Sequence, residues 1–142
     1  MHTQPASLTS LEEVITRAKS LMGGERKIVG LIGKPGAGKS TLSAQLIEQL
    51  GDQAAILNMD GYHLSNKQLQ RLNLSDRKGA FNTFDSDGFV SLLRRINLDT
   101  DKDIYYPIFH REIEESYAAD GVVLKNTRLV ITEGNYLLLE KG

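Results

Sequence analysis

The chain has 142 residues, 40% of them hydrophobic and 25% charged, and 17 basic against 18 acidic side chains leave a formal net charge of -1. That is the size and balance of one globular domain with its own core, and it excludes the global basic field that draws proteins onto nucleic acid or anionic membranes. The absence of cysteine excludes disulfides, thiolate catalysis and Cys-held zinc, and no apolar run approaches the length, about 20 residues, that crosses a bilayer. The expected setting is therefore cytoplasmic, with neither nucleic acid nor membrane as a partner, and a homodimer is compatible with this composition.

Ser10-Leu11-Glu12-Glu13 has the form of a capping box, and Leu11, Val14, Ile15, Ala18, Leu21 and Met22 follow at helical spacing. This predicts a first helix stopping near Gly23-Gly24, so that residues 1–26 form a helical extension ahead of the first core strand in a single domain over 1–142. Residues 27–33 are a short apolar, β-branched run that reads as a buried parallel strand. Residues 39–50 place Leu42, Leu46, Ile47 and Leu50 on one helical face, with Gly51 as the stop.

The join between that strand and that helix is Gly33-Lys34-Pro35-Gly36-Ala37-Gly38-Lys39-Ser40, the Walker A pattern in its required context. Glycines at 33, 36 and 38 let the backbone turn tightly and aim N–H groups at phosphate oxygens, and the helix N-terminus adds its partial positive charge. Lys39 is expected to reach the β- and γ-phosphates of ATP, the Ser40 hydroxyl to ligate magnesium, and Thr41 to cap the helix or contact the α-phosphate.

A second apolar run, 54–59, ends on Asp60-Gly61, and a short helix is predicted over 66–74. Residues 75–85, with Arg77-Lys78-Gly79, read as loop. Asp85, Ser86 and Asp87 offer N-caps for a helix over 88–96 with an apolar stripe at Phe89, Leu92, Leu93 and Ile96. Residues 103–107 predict a strand stopped by Pro107, and Asp120-Gly121 predicts a hairpin turn between 113–118 and 122–125. A third buried strand is predicted over 128–132, ending on Glu133-Gly134.

Ligands of open α/β sheets bind beyond the carboxyl ends of the strands, where Asp60 and Glu133 follow the second and third core strands. Asp60 is read as the carboxylate that takes the proton of an acceptor hydroxyl, and Glu133 as an acid near magnesium or its waters. An Asp-Gly turn and a solvated strand end are the plain structural alternatives. His63 is either a substrate contact or a structural loop histidine. Tyr105, Tyr106, Phe109, His110 and Arg111 either wall a pocket or are core aromatics beside a surface arginine, and Arg77-Lys78 is either anion-binding or a solvated loop.

Together with Met59-Asp60-Gly61-Tyr62-His63-Leu64, Thr83-Phe84-Asp85, Tyr106-Pro107-Ile108-Phe109 and Thr132-Glu133-Gly134-Asn135-Tyr136-Leu137-Leu138, the P-loop and Arg77-Lys78-Gly79 resemble the phosphoribulokinase/uridine kinase family, close to its pantothenate-kinase-like and fructose-kinase-like bacterial branch. The resemblance implies a P-loop NTPase fold, a three-layer α/β/α architecture on a parallel sheet. It also implies ATP and magnesium as cofactors, phosphoryl transfer to a small-molecule hydroxyl, Asp60 in catalysis, Glu133 near the metal, and His63, Arg77 and Arg111 around the acceptor, to which the reading of the residues adds Lys39 in catalysis and Tyr106 as a wall of the acceptor pocket. This chain has His110 where that branch usually has an Asp before the arginine. The family sheet has order 2-3-1-4-5 with an arginine-bearing lid, so strands 2-3-1 are expected here, with strands 4-5 and the lid expected to be missing from a truncated chain. The expected activity is that of an alcohol-accepting kinase. A nucleotide-binding module without turnover is the alternative, and an NTPase switch or motor is disfavoured by Asp60-Gly61-Tyr62-His63.

Overall fold

The computed structural model describes residues 11–31 and 39–133. The core is a parallel sheet of β1 (Lys27–Leu31), β5 (Leu129–Glu133) and β2 (Ala54–Asn58), with β5 in the middle. Every residue of β5 is buried, as a central parallel strand covered on both faces requires. Alternation divides those faces. Leu129 and Ile131 point to a layer made by α1 (Leu11–Leu21) and α2 (Lys39–Leu50), where they meet Ala18 and Leu46 along with Val29 and Ile56. Val130 and Leu57 point the other way, into a cluster with Phe89, Leu92 and Ile96 of α4 (Ser86–Leu98). The fully buried Leu, Ile, Val and Phe side chains among these each contribute about 1.5–3 kcal/mol. The result is the expected α/β/α layering with the expected strand order.

Helix α4 starts two residues earlier than its stripe suggests because Asp85 is its N-cap, accepting from the Gly88 N–H at 3.0 Å. The short helix α3 (Asn66–Arg71) is capped in the same way by Ser65, which accepts from the Gln68 N–H at 3.3 Å.

Two expectations are corrected in the second half. Pro107 does not stop a strand: β3 (Ile104–His110) runs through it. Its partner β4 (Glu115–Val123) runs through Asp120-Gly121, which therefore turns no hairpin. The antiparallel register jumps from Tyr106 opposite Gly121 to Ile108 opposite Tyr117, so Pro107, which has no N–H to donate, faces a bulge at residues 118–120. Ala119 takes φ 57° there. The reversal lies instead at 111–114, closed by Ile113 N–H to His110 O at 3.2 Å and Glu114 N–H to Arg111 O at 3.3 Å. Gly121 is needed for close approach, since a Cβ on it would strike the Tyr106 ring. Ile104 and Val123 anchor the hairpin in the α4 side of the core.

Candidate functional site

The carboxyl ends of the three parallel strands are level. Leu31 and Asn58 both pair with Glu133 in the register of the sheet, so the residue that leads into 32–38, the end of β2 and the end of β5 form one row. Residues 33–38 of the expected phosphate loop (Gly33, Lys34, Pro35, Gly36, Ala37 and Gly38) lie outside the described residues. Lys39, Ser40 and Thr41 form the first turn of α2, which carries no acidic residue, so the positive end of the helix dipole is not offset there. The side chains of these three residues also lie outside what is described.

Asp60 sits on a single 3-10 turn, Met59–Tyr62, directly beyond β2. Asn58 caps this turn: its Oδ1 accepts from the Asp60 N–H at 2.8 Å, while its Nδ2 donates to Glu133 Oε1 at 3.4 Å. Glu133 is 6% exposed, and Asp60 is half-buried. A carboxylate as buried as Glu133 is stable only with hydrogen bonds or a cation to match its charge. Among the described residues, the Asp60 carboxylate has no hydrogen-bond or ion-pair partner.

The turn is locked from both sides. Gly61 packs so closely on the Pro107 carbonyl that any Cβ would collide with β3 backbone. On the other side, Asp85 N–H donates to Tyr62 O at 2.7 Å and Leu64 N–H to Thr83 O at 2.8 Å. His63 donates its backbone N–H to Asp60 O at 3.1 Å, and its Nδ1 lies 2.9 Å from the same carbonyl. A carbonyl only accepts, so Nδ1 carries a proton, and Nε2 of the neutral ring is an acceptor. The imidazole lies against Phe84 at 4.2 Å and Phe109 at 4.6 Å between centroids. His63 and Asp60 are thus held on one rigid turn.

The other expected acceptor contacts are placed differently. Tyr106 donates its hydroxyl to Ile56 O at 3.3 Å and packs on the core, and burial raises its pKa. Arg77 and Arg111 are exposed, in the turn Ser75–Arg77 and in the hairpin reversal, and among the described residues neither guanidinium is hydrogen-bonded or ion-paired. Lys78 is committed to structure. Its Nζ donates to Asn66 Oδ1 and Glu114 O, both at 2.6 Å, and lies 5.7 Å from the Phe109 ring centroid, tying the hairpin reversal to the start of α3. Fully buried Thr83 holds the loop before it, accepting from Gly79 N–H and donating to Ala80 O.

No family model matches the chain. Over 94% of its length it is 38% identical to a candidate uridine kinase of Schizosaccharomyces pombe, of which it covers 61%. A solved structure of a candidate fructose transport system kinase from a Silicibacter species matches with a TM-score of 0.80 at 36% identity, covering 92% of this chain and 65% of that one. The chain has the fold of the P-loop kinases and is similar in sequence to a uridine kinase-like protein. It is also 27% identical to a pantothenate kinase of Nocardioides, over 75% of this chain and 34% of that protein. The chain thus spans less than two thirds of the length of these relatives.

Within this P-loop kinase fold, the residue the sequence did not single out is Asn58. Its signal was present, because an Asn two residues before an Asp at a strand end is a ready Asx-turn former. Its second partner, Glu133, is 75 residues away and visible only in the folded sheet. Among the described residues, no cluster of three or more His, Asp or Glu side chains is preassembled for a metal. Magnesium needs only one or two carboxylates with phosphate oxygens, and a hard oxygen donor such as Glu133 at the level of Leu31 fits that chemistry. No helix among the described residues is long and apolar enough to cross a membrane.

His110, in the position before Arg111, forms a small titrating cluster on the β3–β4 hairpin. Its Nε2 is 2.7 Å from Asp120 Oδ2, its Nδ1 3.5 Å from Glu112 Oε2, and its ring stacks on Tyr117 at 4.2 Å. The Asp120 hydrogen bond raises the His110 pKa above 6.5, against opposing desolvation. The Glu112 pKa is lowered by its own backbone N–H and then by His110. The His110 contribution to stability is therefore fully present below pH 6.5 and lost as pH rises through its folded value. The Glu112 contribution is lost as pH falls through its own lowered value. An NMR titration should find His110 ionising above 6.5 in the wild type, and Asp120→Asn should return it toward that value.

Proposed function

We propose that the chain forms the nucleotide- and acceptor-binding part of a cytoplasmic kinase that moves the γ-phosphoryl group of ATP to a hydroxyl of a small metabolite, a sugar, nucleoside or pantothenate-like alcohol. The observation that carries this reading is Asp60, a carboxylate on a rigid turn just beyond β2, whose last residue, Asn58, is level with the strand end that leads into the Walker A sequence. The acceptor O–H gives its proton to Asp60 as the oxygen bonds to the γ-phosphorus, and the bond from that phosphorus to the bridging oxygen breaks to release ADP. Positioning supplies much of the rate in such a reaction, which suits a turn fixed by Gly61, Asn58 and His63. Lys39 and the loop before it would hold the phosphates, and Ser40 and Glu133 would hold magnesium. Magnesium, when bound, neutralises charge across the β- and γ-oxygens. His63 Nε2 offers the acceptor a hydrogen-bonding atom, and the exposed guanidinium groups of Arg77 and Arg111 complete the proposed acceptor surroundings, with Tyr106 behind them in the core. No nucleic-acid or membrane partner is proposed, and a homodimer is compatible with this reading.

A screen of ATP consumption across sugars, nucleosides and pantothenate-like alcohols tests the proposal. Acceptor-dependent ADP release that disappears in Lys39→Ala, together with nucleotide binding, supports it. ATP binding with no acceptor-dependent turnover would make the chain a nucleotide-binding module instead.

A further inference from the structure

We propose that Asn58 is a positioning residue that couples the two acids of the site through a single carboxamide. This rests on the kinase reading above, in which Asp60 receives the acceptor proton and Glu133 faces magnesium. The orientation of the amide is decided by chemistry. The Asp60 N–H can only donate, so the Asn58 atom 2.8 Å from it is oxygen, and the NH2 group is left facing Glu133 Oε1 at 3.4 Å. Asn58 is still in extended conformation and paired in register with Glu133, so the two side chains leave neighbouring strands side by side. An ordinary turn cap would use only the oxygen. Here the nitrogen is used as well, on the carboxylate at the end of the central strand.

A rotation of the Glu133 carboxylate therefore pulls on the same side chain that sets the Asp60 backbone. Loss of the nitrogen alone removes this one bond from Glu133 while leaving the turn capped. Groups that orient a metal-facing carboxylate in this way typically change metal affinity or activity by about 10–100-fold when removed.

Asn58→Ser separates the two roles, because a serine hydroxyl still caps the turn as an acceptor but cannot reach Glu133 with a donor. The full chain carrying Asn58→Ser is expected to keep its melting temperature while kcat falls about tenfold and the magnesium concentration for half-maximal activity rises, with little change in the KM for the acceptor. Adding Asn58→Ser to Glu133→Gln should then cost little more than Glu133→Gln alone, because the partner is already lost. Wild-type kcat and magnesium dependence in Asn58→Ser would reduce Asn58 to a plain cap and overturn the proposal. Should the wild-type chain bind ATP with magnesium yet turn over no acceptor, the kinase reading falls. The magnesium dependence of ATP binding, followed by calorimetry, then decides the coupling: a shift in Asn58→Ser supports it and no shift overturns it. A wild-type chain that binds no ATP overturns both.

Discussion

Replacing Asp60 by Asn is expected to lower kcat for phosphoryl transfer by about 10²–10⁴-fold while ATP binding and the fold are preserved. The asparagine is nearly isosteric, and the capping contact of the turn uses the Asp60 backbone N–H rather than the side chain. Among the described residues the carboxylate makes no hydrogen bond or ion pair, so its loss strands no partner among them. The Asp60 carbonyl keeps its bonds from His63, and Gly61 keeps the turn against Pro107. What changes is the ability to accept a proton at that place. Steady-state kinetics, nucleotide titration and thermal unfolding on the same preparation separate these effects. Full transfer activity in Asp60→Asn would show that the proton goes elsewhere.

The largest effect on stability is expected at Arg26, which lies between α1 and β1 and is 9% exposed. Its guanidinium donates to four backbone carbonyls: Nε to Thr127 O at 3.0 Å, Nη1 to Ile96 O at 2.9 Å, and Nη2 to Leu124 O at 3.0 Å and Lys125 O at 3.4 Å. One side chain thus joins α4 to the segment that leads from β4 into β5. Desolvation, and then Arg128, lower its pKa, but a guanidinium remains charged at any workable pH, so the clamp does not titrate. Arg26→Met keeps the stem and removes every donor. Hydrogen bonds from a charged group contribute about 1.5–3 kcal/mol each, and the coupled loss is expected to total at least about 3 kcal/mol. That corresponds to a fall in Tm of about 10 °C for a domain of this size. Arg26→Lys, able to reach one or two of the carbonyls, should fall between. Thermal and urea unfolding measure this, and an unchanged Tm would mean that water replaces the guanidinium at little cost.

The parallel sheet was legible because its signals are local. The apolar runs at 27–33, 54–59 and 128–132 became β1, β2 and β5, and the stripe at Leu46, Ile47 and Leu50 packed on them as α2. The hairpin was misread because Pro107 and Asp120-Gly121 carry real local preferences that tertiary pairing used for another purpose. A missing N–H and a turn-prone pair were absorbed in opposite sides of one bulge, and the chain reversed at 111–114 rather than at the glycine. In the site, Asp60 and Glu133 could be singled out from their places after apolar runs. Neither the stacking of His63 between Phe84 and Phe109 nor the bond from Asn58 to Glu133 could be read in the same way, because each joins segments far apart in the chain.

The contact of Gly61 with Pro107 has a consequence for redesign. Two backbones meet there with no side chain between them, so no change of residue type in the hairpin reversal need be felt at Asp60. Residues 111–114 form the exposed end of the same hairpin. On the kinase reading proposed above, a library confined to those four positions would vary the chemistry offered to an incoming acceptor without touching the Gly61–Pro107 contact that holds the Asp60 turn, a separation of recognition from reactivity resting on a single glycine.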